Sequence, residues 1–575
     1  MSDHTPGTTG PEEAPEPSGR TERGGASEQA ASVKAPEPGD GIPEPPRTPK
    51  YAQQQGRRQP PPSHWQPQRP QEPALARLRP AAPAAIRGAT LCCVLVTALL
   101  SSLLLEDGLG PNLLIVAVPA SLGAFYAARA AGRRLRPWTT CWAVGGLALL
   151  AVPALRSAGW PVFLAVVSAI ALGSLALHGS RSWLGVFLGS LGLFTSIADG
   201  LAWGGRGVYV RVADSRGRLG VILRSTGVAL VLLVVFGALF ASADAAFADV
   251  LGGLMPDTSM KNSPWQVLLF VTGLIGALAA AYTAAAPVRW DGITIRRGKA
   301  RGRLEWALPL IVLNLLFAVF IAIQLTVLLG GYDKVMAETS LSHAQYARQG
   351  FWQLLWATLL TLLVIALALR WAPRGREGDR TLVRGVLGVL CLLTLTVVAS
   401  ALRRMDLYVD EYGLTRLRIS VAAVELWLGV VIVLILVAGV FGARLLPRAV
   451  AVSAAVAVLT FGLVSPDVLI AEQNVQRYRD DRSIDISYLR GLSADAVPAL
   501  DALPEPLRSC ALMDIERSLR SDDASWYATD LGEARARDIL RKNPISRDPM
   551  RSCMASRTGG DGETGVDQYD PYDPY

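Results

Sequence analysis

Three short stretches of the chain mix carboxylates, guanidinium groups and phenols densely enough to do chemistry. The first is Ser242-Ala-Asp244-Ala-Ala-Phe247-Ala-Asp249, with two carboxylates five residues apart around a phenylalanine. The second runs from Tyr332-Asp333-Lys334 to His343-Ala-Gln345-Tyr346-Ala-Arg348-Gln-Gly350-Phe351. The third is Arg403-Arg404-Met-Asp406-Leu-Tyr408, continued by Asp410-Glu411-Tyr412-Gly-Leu-Thr415-Arg416-Leu-Arg418. Arg404 and Arg418 suit an anionic group, because a guanidinium offers a rigid fork of donors. Asp244 or Asp333 suits a base or a cation ligand. The structural alternative for each is that Arg, Tyr and Trp anchor helix ends at a membrane surface and pair with nearby acids.

A fourth candidate stands alone. Glu425 lies inside the apolar run Arg418-Ile-Ser-Val-Ala-Ala-Val-Glu425-Leu-Trp427. Seven residues make two helical turns, so it shares a face with Arg418 about 10 Å away. A carboxylate at that depth costs about 2.5–3.5 kcal/mol on insertion scales and should face other helices. It reads either as a proton- or cation-coupling site or as a buried carboxyl bonded to a neighbouring helix. Asn314 and Gln324, in another apolar run, read as interhelical glue.

Other chemistries find no constellation. The four histidines, His4, His64, His178 and His343, stand at no metal-ligand spacing. There is no C-x-x-C, H-E-x-x-H or P-loop lysine motif, and no G-x-S-x-G elbow. No metal or cofactor is expected. Cys92, Cys93, Cys141 and Cys391 fall in apolar runs, where cysteine behaves as a small hydrophobe. Cys510 and Cys553 fall outside them and are a possible disulfide pair.

The elements that must position these residues follow from composition. Of 575 residues, 51% are hydrophobic and 18% charged, and the mean hydropathy is +0.31. A soluble chain of this length carries about 25% charged residues. The balance excludes a soluble multidomain enzyme, a wholly disordered chain and a fibrous repeat. It points to an all-α, polytopic transmembrane bundle. Apolar runs of spanning length lie at about 88–105, 109–131, 138–156, 160–178, 219–241, 264–286, 305–330, 351–371, 382–402, 418–440 and 444–465, with a weaker Gly- and Ser-rich run at 183–201. Residues 1–85 are Pro-, Gly- and Glu-rich and read as a disordered cytoplasmic tail. Residues 86–465 form the membrane domain, 466–545 a helical extramembrane segment broken at Pro498, Pro504 and Pro506, and 546–575 a disordered end.

Arginine sorts the links. Arg129, Arg133, Arg134 and Arg136 mark one link as cytoplasmic, and Arg289 to Arg303, Arg370 to Arg384, and Arg444 with Arg448 mark three more. Glu106-Asp107, Asp244, Asp249 and Asp257 fall on the other side. Arg206, Arg211, Arg216 and Arg218 belong inside like the 129–136 cluster, yet three apolar runs separate the two groups. Parity is restored if 183–201 is re-entrant or interfacial. That gives about eleven spans, N-terminus cytoplasmic and C-terminus extracytoplasmic, with twelve as the alternative. The net charge of +8 then faces anionic lipid and needs no nucleic acid.

The segments Phe240-Ala-Ser-Ala-Asp244-Ala-Ala-Phe247, Asn314-Leu-Leu-Phe317, Tyr346-Ala-Arg348-Gln-Gly350-Phe351 and Tyr412-Gly-Leu-Thr415-Arg416 carry a family likeness. So do Ile470-Ala-Glu-Gln-Asn474-Val and Leu492-Ser-Ala-Asp495-Ala-Val-Pro498. Over roughly 90–545 the chain resembles an uncharacterised bacterial integral-membrane family, a domain of unknown function of the 4153/4173 type. Its composition resembles that of an actinobacterial member. The resemblance implies a polytopic membrane protein and transfers no catalytic residue. Three functions remain open. One is a non-enzymatic structural, regulatory or sensing component of the plasma-membrane envelope, touching lipid and an envelope protein partner through its tails. The second is a secondary transporter or channel-like protein using Glu425 and the outer Asp and Arg residues. The third is a lipid-linked glycosyltransferase-like enzyme, against which the short first outer link counts.

Overall fold

The computed structural model describes Leu78, residues 83–134, 136–214, single positions between Ser225 and Asp244, and residues 263–293, 302–329, 351–372, 377–521, 525–548, 551 and 553–554. Every regular element among them is helical. Most of the expected tails at 1–85 and 546–575, and most of the 219–241 run, lie outside the described residues.

Among the described residues, ten helices make the bundle. They are α1 (Gly88–Leu104), α2 (Asn112–Ala130), α3 (Pro137–Leu150) continued by the single turn α4 (Val152–Leu155), α5 (Gly159–His178), α6 (Trp183–Thr195) and α7 (Ile197–Asp214), then α8 (Ser263–Ala285), α9 (Arg303–Leu329), α10 (Phe351–Trp371), α11 (Glu377–Tyr412), α12 (Arg416–Phe441) and α13 (Leu446–Val464), with α3–α4 counted once and α6–α7 set aside. Nine of the described helices are long and apolar enough to cross a membrane, and α1 is a shorter apolar helix of 17 residues. Their outward faces stay apolar, as at Phe163, Leu315 and Trp356. In lipid such a face lacks nothing, while every backbone amide must be satisfied inside its own helix. Small residues let the helices close. A side chain at Gly273 of α8 would run into Ala98 and Ser101 of α1, the close approach expected where lipid tails offer no hydrophobic drive.

The chain then folds a second core. It consists of α14 (Pro466–Arg479), α15 (Ile486–Leu489), a 3-10 turn Ala494–Ala496, α16 (Val497–Leu500), α17 (Leu507–Ser521) and α18 (Leu531–Lys542). Ile470, Val475, Leu500, Leu512, Ile515 and Ala536 are buried together in it. Leu414, in the turn after α11, and Ile419, in the first turn of α12, pack against the same cluster. Cys510 and Cys553 are joined by a disulfide, 43 residues apart in sequence.

This domain covers one end of the bundle, here the domain face. Asp107, after α1, accepts from Ser525 Oγ at 2.8 Å and Tyr527 Oη at 3.0 Å. The Asn112 amide, opening α2, donates to Tyr527 O at 3.0 Å. At the far face, Arg448 Nε donates to Ser180 O at 3.1 Å and its guanidinium lies 4.8 Å over Trp138. Arg133 donates to Leu177 O at 3.1 Å.

The weak run at 183–201 stays at the far face. It is two helices, α6 and α7, bent by 44° at Ser196. Asp291, just beyond α8, accepts from the Arg181 and Ser182 amides at the start of α6. Ser174, one turn from the end of α5, donates to Gly189 O at 2.5 Å and accepts from the Leu193 amide at 3.0 Å. Trp203 Nε1 then donates to Ala84 O at 2.9 Å, and Arg211 Nη2 to Ile86 O, both just ahead of α1. The start of α6 and the later turns of α7 thus both meet far-face partners, with a 44° bend between the two helices.

The third polar stretch is not a link as expected. α11 runs 36 residues to Tyr412, about 54 Å against a hydrocarbon core of about 30 Å. Only Gly413 to Thr415 turn the chain into α12. α11 is thus longer than the hydrocarbon core, and its last turns meet the C-terminal domain through Asp410, Glu411 and Arg477.

The far-face contacts at both ends of the α6–α7 pair predict a labelling pattern. With the four unpaired cysteines replaced, Arg181→Cys and Arg206→Cys should react with a membrane-impermeant maleimide from the same side. Labelling from opposite sides would make α6–α7 a span.

Candidate functional site

The polar residues concentrate where the domain meets the bundle. α12 begins with Thr415 as N-cap, its hydroxyl accepting from the Arg418 amide at 3.4 Å. The next residue, Arg416, grips Asp467 in a fork: Nε to Oδ1 at 2.9 Å and Nη2 to Oδ2 at 2.7 Å. Asp467 stands in the first turn of α14, after Ser465-Pro466, and is fully buried. Its Oδ2 also accepts from the Ser493 amide at 2.9 Å, and Arg416 Nη2 donates to Gly491 O at 2.9 Å. The Arg416 amide donates to Tyr488 Oη at 2.7 Å. An acid near a helix N-terminus is favoured by the helix dipole, and the bidentate partner meets the cost of burying its charge.

Asp495 does similar work one layer over. It is 4% exposed. Its Oδ2 accepts from the Ser157 amide at 3.0 Å, the Ala158 amide at 3.3 Å and Ser465 Oγ at 2.8 Å. In return its own amide donates to Ser157 Oγ at 3.0 Å. Ala158 is the N-cap residue of α5 and supplies no side-chain cap. A carboxylate from the C-terminal domain therefore does for a membrane helix what a local N-cap does elsewhere.

The end of α11 is covered by cations. Arg418 lies 4.2 Å over the Tyr408 ring and 5.8 Å from that of Tyr412, and donates to Tyr412 O at 3.1 Å and to Gly413 O. Arg477 of α14 donates to Asp410 O at 3.1 Å and Glu411 O at 2.5 Å. Gly413 has φ +78°, and a side chain there would meet Asn474 and Arg477. Guanidinium groups on terminal carbonyls satisfy acceptors the helix leaves open and oppose its negative end.

Glu425 is elsewhere, about 13 Å into α12 from Arg416. It is fully buried, next to the apolar cluster of Leu354, Val397 and Ala401 with Val421 and Ala422. Thr358 Oγ1 of α10 lies 3.0 Å from Oε1 and 3.1 Å from Leu354 O. Oε2 is buried with no hydrogen-bond partner.

Of the residues proposed from sequence, Arg418 and Tyr412 are brought into contact, Arg404 lies half-buried on α11, and Asp244 is exposed. Asp249, Asp333, His343, Tyr346 and Arg348 lie outside the described residues. Among the described residues no group of three metal-ligating side chains gathers. Asp467 and Asp495 were missed as site residues. Asp467 carried a signal, an acid directly after a helix-opening proline. Asp495 stood only inside a family-likeness motif, and its partner Ser157 is 338 residues away.

The family model of a domain of unknown function, DUF4153, matches residues 144–503. The chain belongs to the DUF4153 family. In this DUF4153 protein the matched stretch starts within α3 and ends just after α16. It includes Arg416, Glu425, Asp467 and Asp495. The disulfide, α17 and α18 lie beyond it. No curated protein matches the chain, and no solved structure does.

Removing one partner of this half-exposed pair should cost more than removing both. Arg416→Leu leaves the buried Asp467 without its guanidinium and should lower stability by about 1–2 kcal/mol, since solvent screens the 40% exposed Arg416 side chain. Arg416→Met with Asp467→Leu should recover most of it. Thermal unfolding of the detergent-purified protein measures both. Equal losses in the single and double variants would mean that the pair contributes nothing by its charge.

Proposed function

We propose that this protein is a sensing or regulatory component of the cell envelope, seated in the plasma membrane with its C-terminal domain outside. The observation that carries the reading is the docking of that domain on helix ends through Asp467 and Asp495. A shift of the domain alters the cap on α5, the start of α12 and the corner between α13 and α14 together. What the domain meets outside is thereby passed to the bundle. The orientation is supported by the arginines, since Arg129, Arg133, Arg136, Arg444 and Arg448 flank the far-face ends of α2, α3, α12 and α13. The disulfide supports it as well, because such bonds persist in oxidising compartments. Lipid is then the partner of the bundle, and an envelope protein that of the domain and tails.

One observation favours transport as a second reading. Glu425 holds a bare, buried carboxyl oxygen in the seam of α10 and α12, and intramembrane carboxyls mark proton and ion paths in transporters.

A deletion strain separates the two. Asp467→Asn should fail to restore the envelope phenotype while Glu425→Gln restores it. The opposite pattern would replace sensing with coupled transport. In intact cells, Cys510 and Cys553 should react with an impermeant maleimide only after an impermeant reductant. Labelling confined to permeabilised cells would invert the orientation.

A further inference from the structure

The N-terminus of α18 points at the same Asp495 that caps α5. Asp530 is the N-cap of α18, its Oδ1 accepting from the Glu533 amide at 2.9 Å. It is 5% exposed. Asp495 uses Oδ2 for all three of its donors from the bundle side and leaves Oδ1 buried without a hydrogen-bond partner. Gly532 sits between the two aspartates, and a side chain there would collide with Oδ1 of both. Two carboxyl oxygens thus flank one backbone point inside a buried junction.

The surroundings offer them little positive charge. α18 itself brings Glu533, with Arg537 at 3.4 Å from it. The 3-10 turn brings Asp495. α4 and α16, both Val-Pro-Ala-Leu, bring no titratable side chain. Arg156, after α4, turns its Nε to Leu463 O at 2.7 Å. On α17, Arg508 is held by Asp501 at 2.8 Å and Glu505 at 3.2 Å, Asp514 is paired with Arg490 and Arg517, and Glu516 with Arg520. Burial pushes the Asp530 carboxyl up to about 7, against the Glu533 and Gly532 amide bonds that lower it, and the charges of Glu533 and Asp495 add to the rise. Two carboxyls this close do not both ionise without cost.

We propose that Asp495 and Asp530 form a proton-binding site in which one proton, held on Asp530 in the junction it shares with Asp495 Oδ1, latches α18 to the bundle. Loss of that proton sets two carboxylates against each other and releases α18. The proposal rests on the sensing reading for its purpose and deepens it, since it names the proton as the signal. Its sign is set by linkage. The docked form binds the proton more tightly than the undocked form, so docking is tight in acid and weakens as the pH rises through 7.

Hydrogen exchange of the full-length protein in nanodiscs tests this. Amides of residues 531–542 are compared at pH 6 and pH 8 after scaling for the intrinsic rate. The opening constant should rise about tenfold between them. Asp530→Asn, which keeps a good N-cap, should abolish the step. Asp495→Asn should reduce it, because it removes the neighbouring charge while the burial of Asp530 remains. It carries the test if the first variant does not fold. Equal opening in the wild-type protein at both pH values overturns the proposal, as does an undiminished step in either folded variant. Protection restored at pH 8 by millimolar calcium or magnesium also overturns it, making the pair a cation site. If the nanodisc step is present but cells carrying Asp530→Asn behave as wild type, the sensing reading fails and the proton site stands.

Discussion

Helix ends need partners, and in this protein the ends of membrane helices find them in a domain folded from the far end of the chain. The carboxylate of Asp495 on the Ser157 and Ala158 amides is the clearest case. α5 has no cap of its own, and its first amides cannot be left dry. The same oxygen binds Ser465, which holds φ +56° at the corner from α13 to α14. One acceptor thus satisfies the start of one membrane helix and the exit of another. If it were moved, three elements would lose a partner together.

The rest of the domain face follows this pattern. Asp467 and Arg416 tie the start of α14 to the start of α12. Arg477 and Arg418 close the end of α11. Asp107 and Asn112 receive the 525–528 loop at the α1–α2 turn. Charges at helix ends act over about one turn, so the domain must sit directly on the bundle to be held by them. α11 is longer than the hydrocarbon core. Its last turns are part of the docking surface, through the Asp410 and Glu411 carbonyls that accept from Arg477 and the Glu411 carboxylate that pairs with Arg482.

Much of the architecture was legible in the sequence. Apolar runs of spanning length need no partner to be recognised, because the bilayer is their solvent. The parity of arginine-rich links pointed to the irregular segment, where the structure has two helices, α6 and α7, bent by 44°. The length of α11 was not legible. Arg403, Arg404, Asp406 and Asp410 break the apolar run at the membrane surface, and hydropathy cannot tell a helix that continues in water from a loop. Nor was the weight of Asp495, one aspartate in a small polar stretch until Ser157 and Ser465 are set beside it.

The candidate site divides the same way. Glu425 was visible because a lone carboxylate in an apolar run is costly wherever it points. Its neighbour Thr358, 67 residues earlier on another helix, was not. Arg418 was visible as a cation, but only the folded chain shows it spread over Tyr408 and the terminal carbonyls of α11. The sequence by itself determined the solvent of each segment, since transfer between water and lipid depends on local composition alone. The tertiary structure decided which buried charges are paired and which oxygens are left bare. That depends on contacts between residues hundreds of positions apart, and no local pattern encodes them.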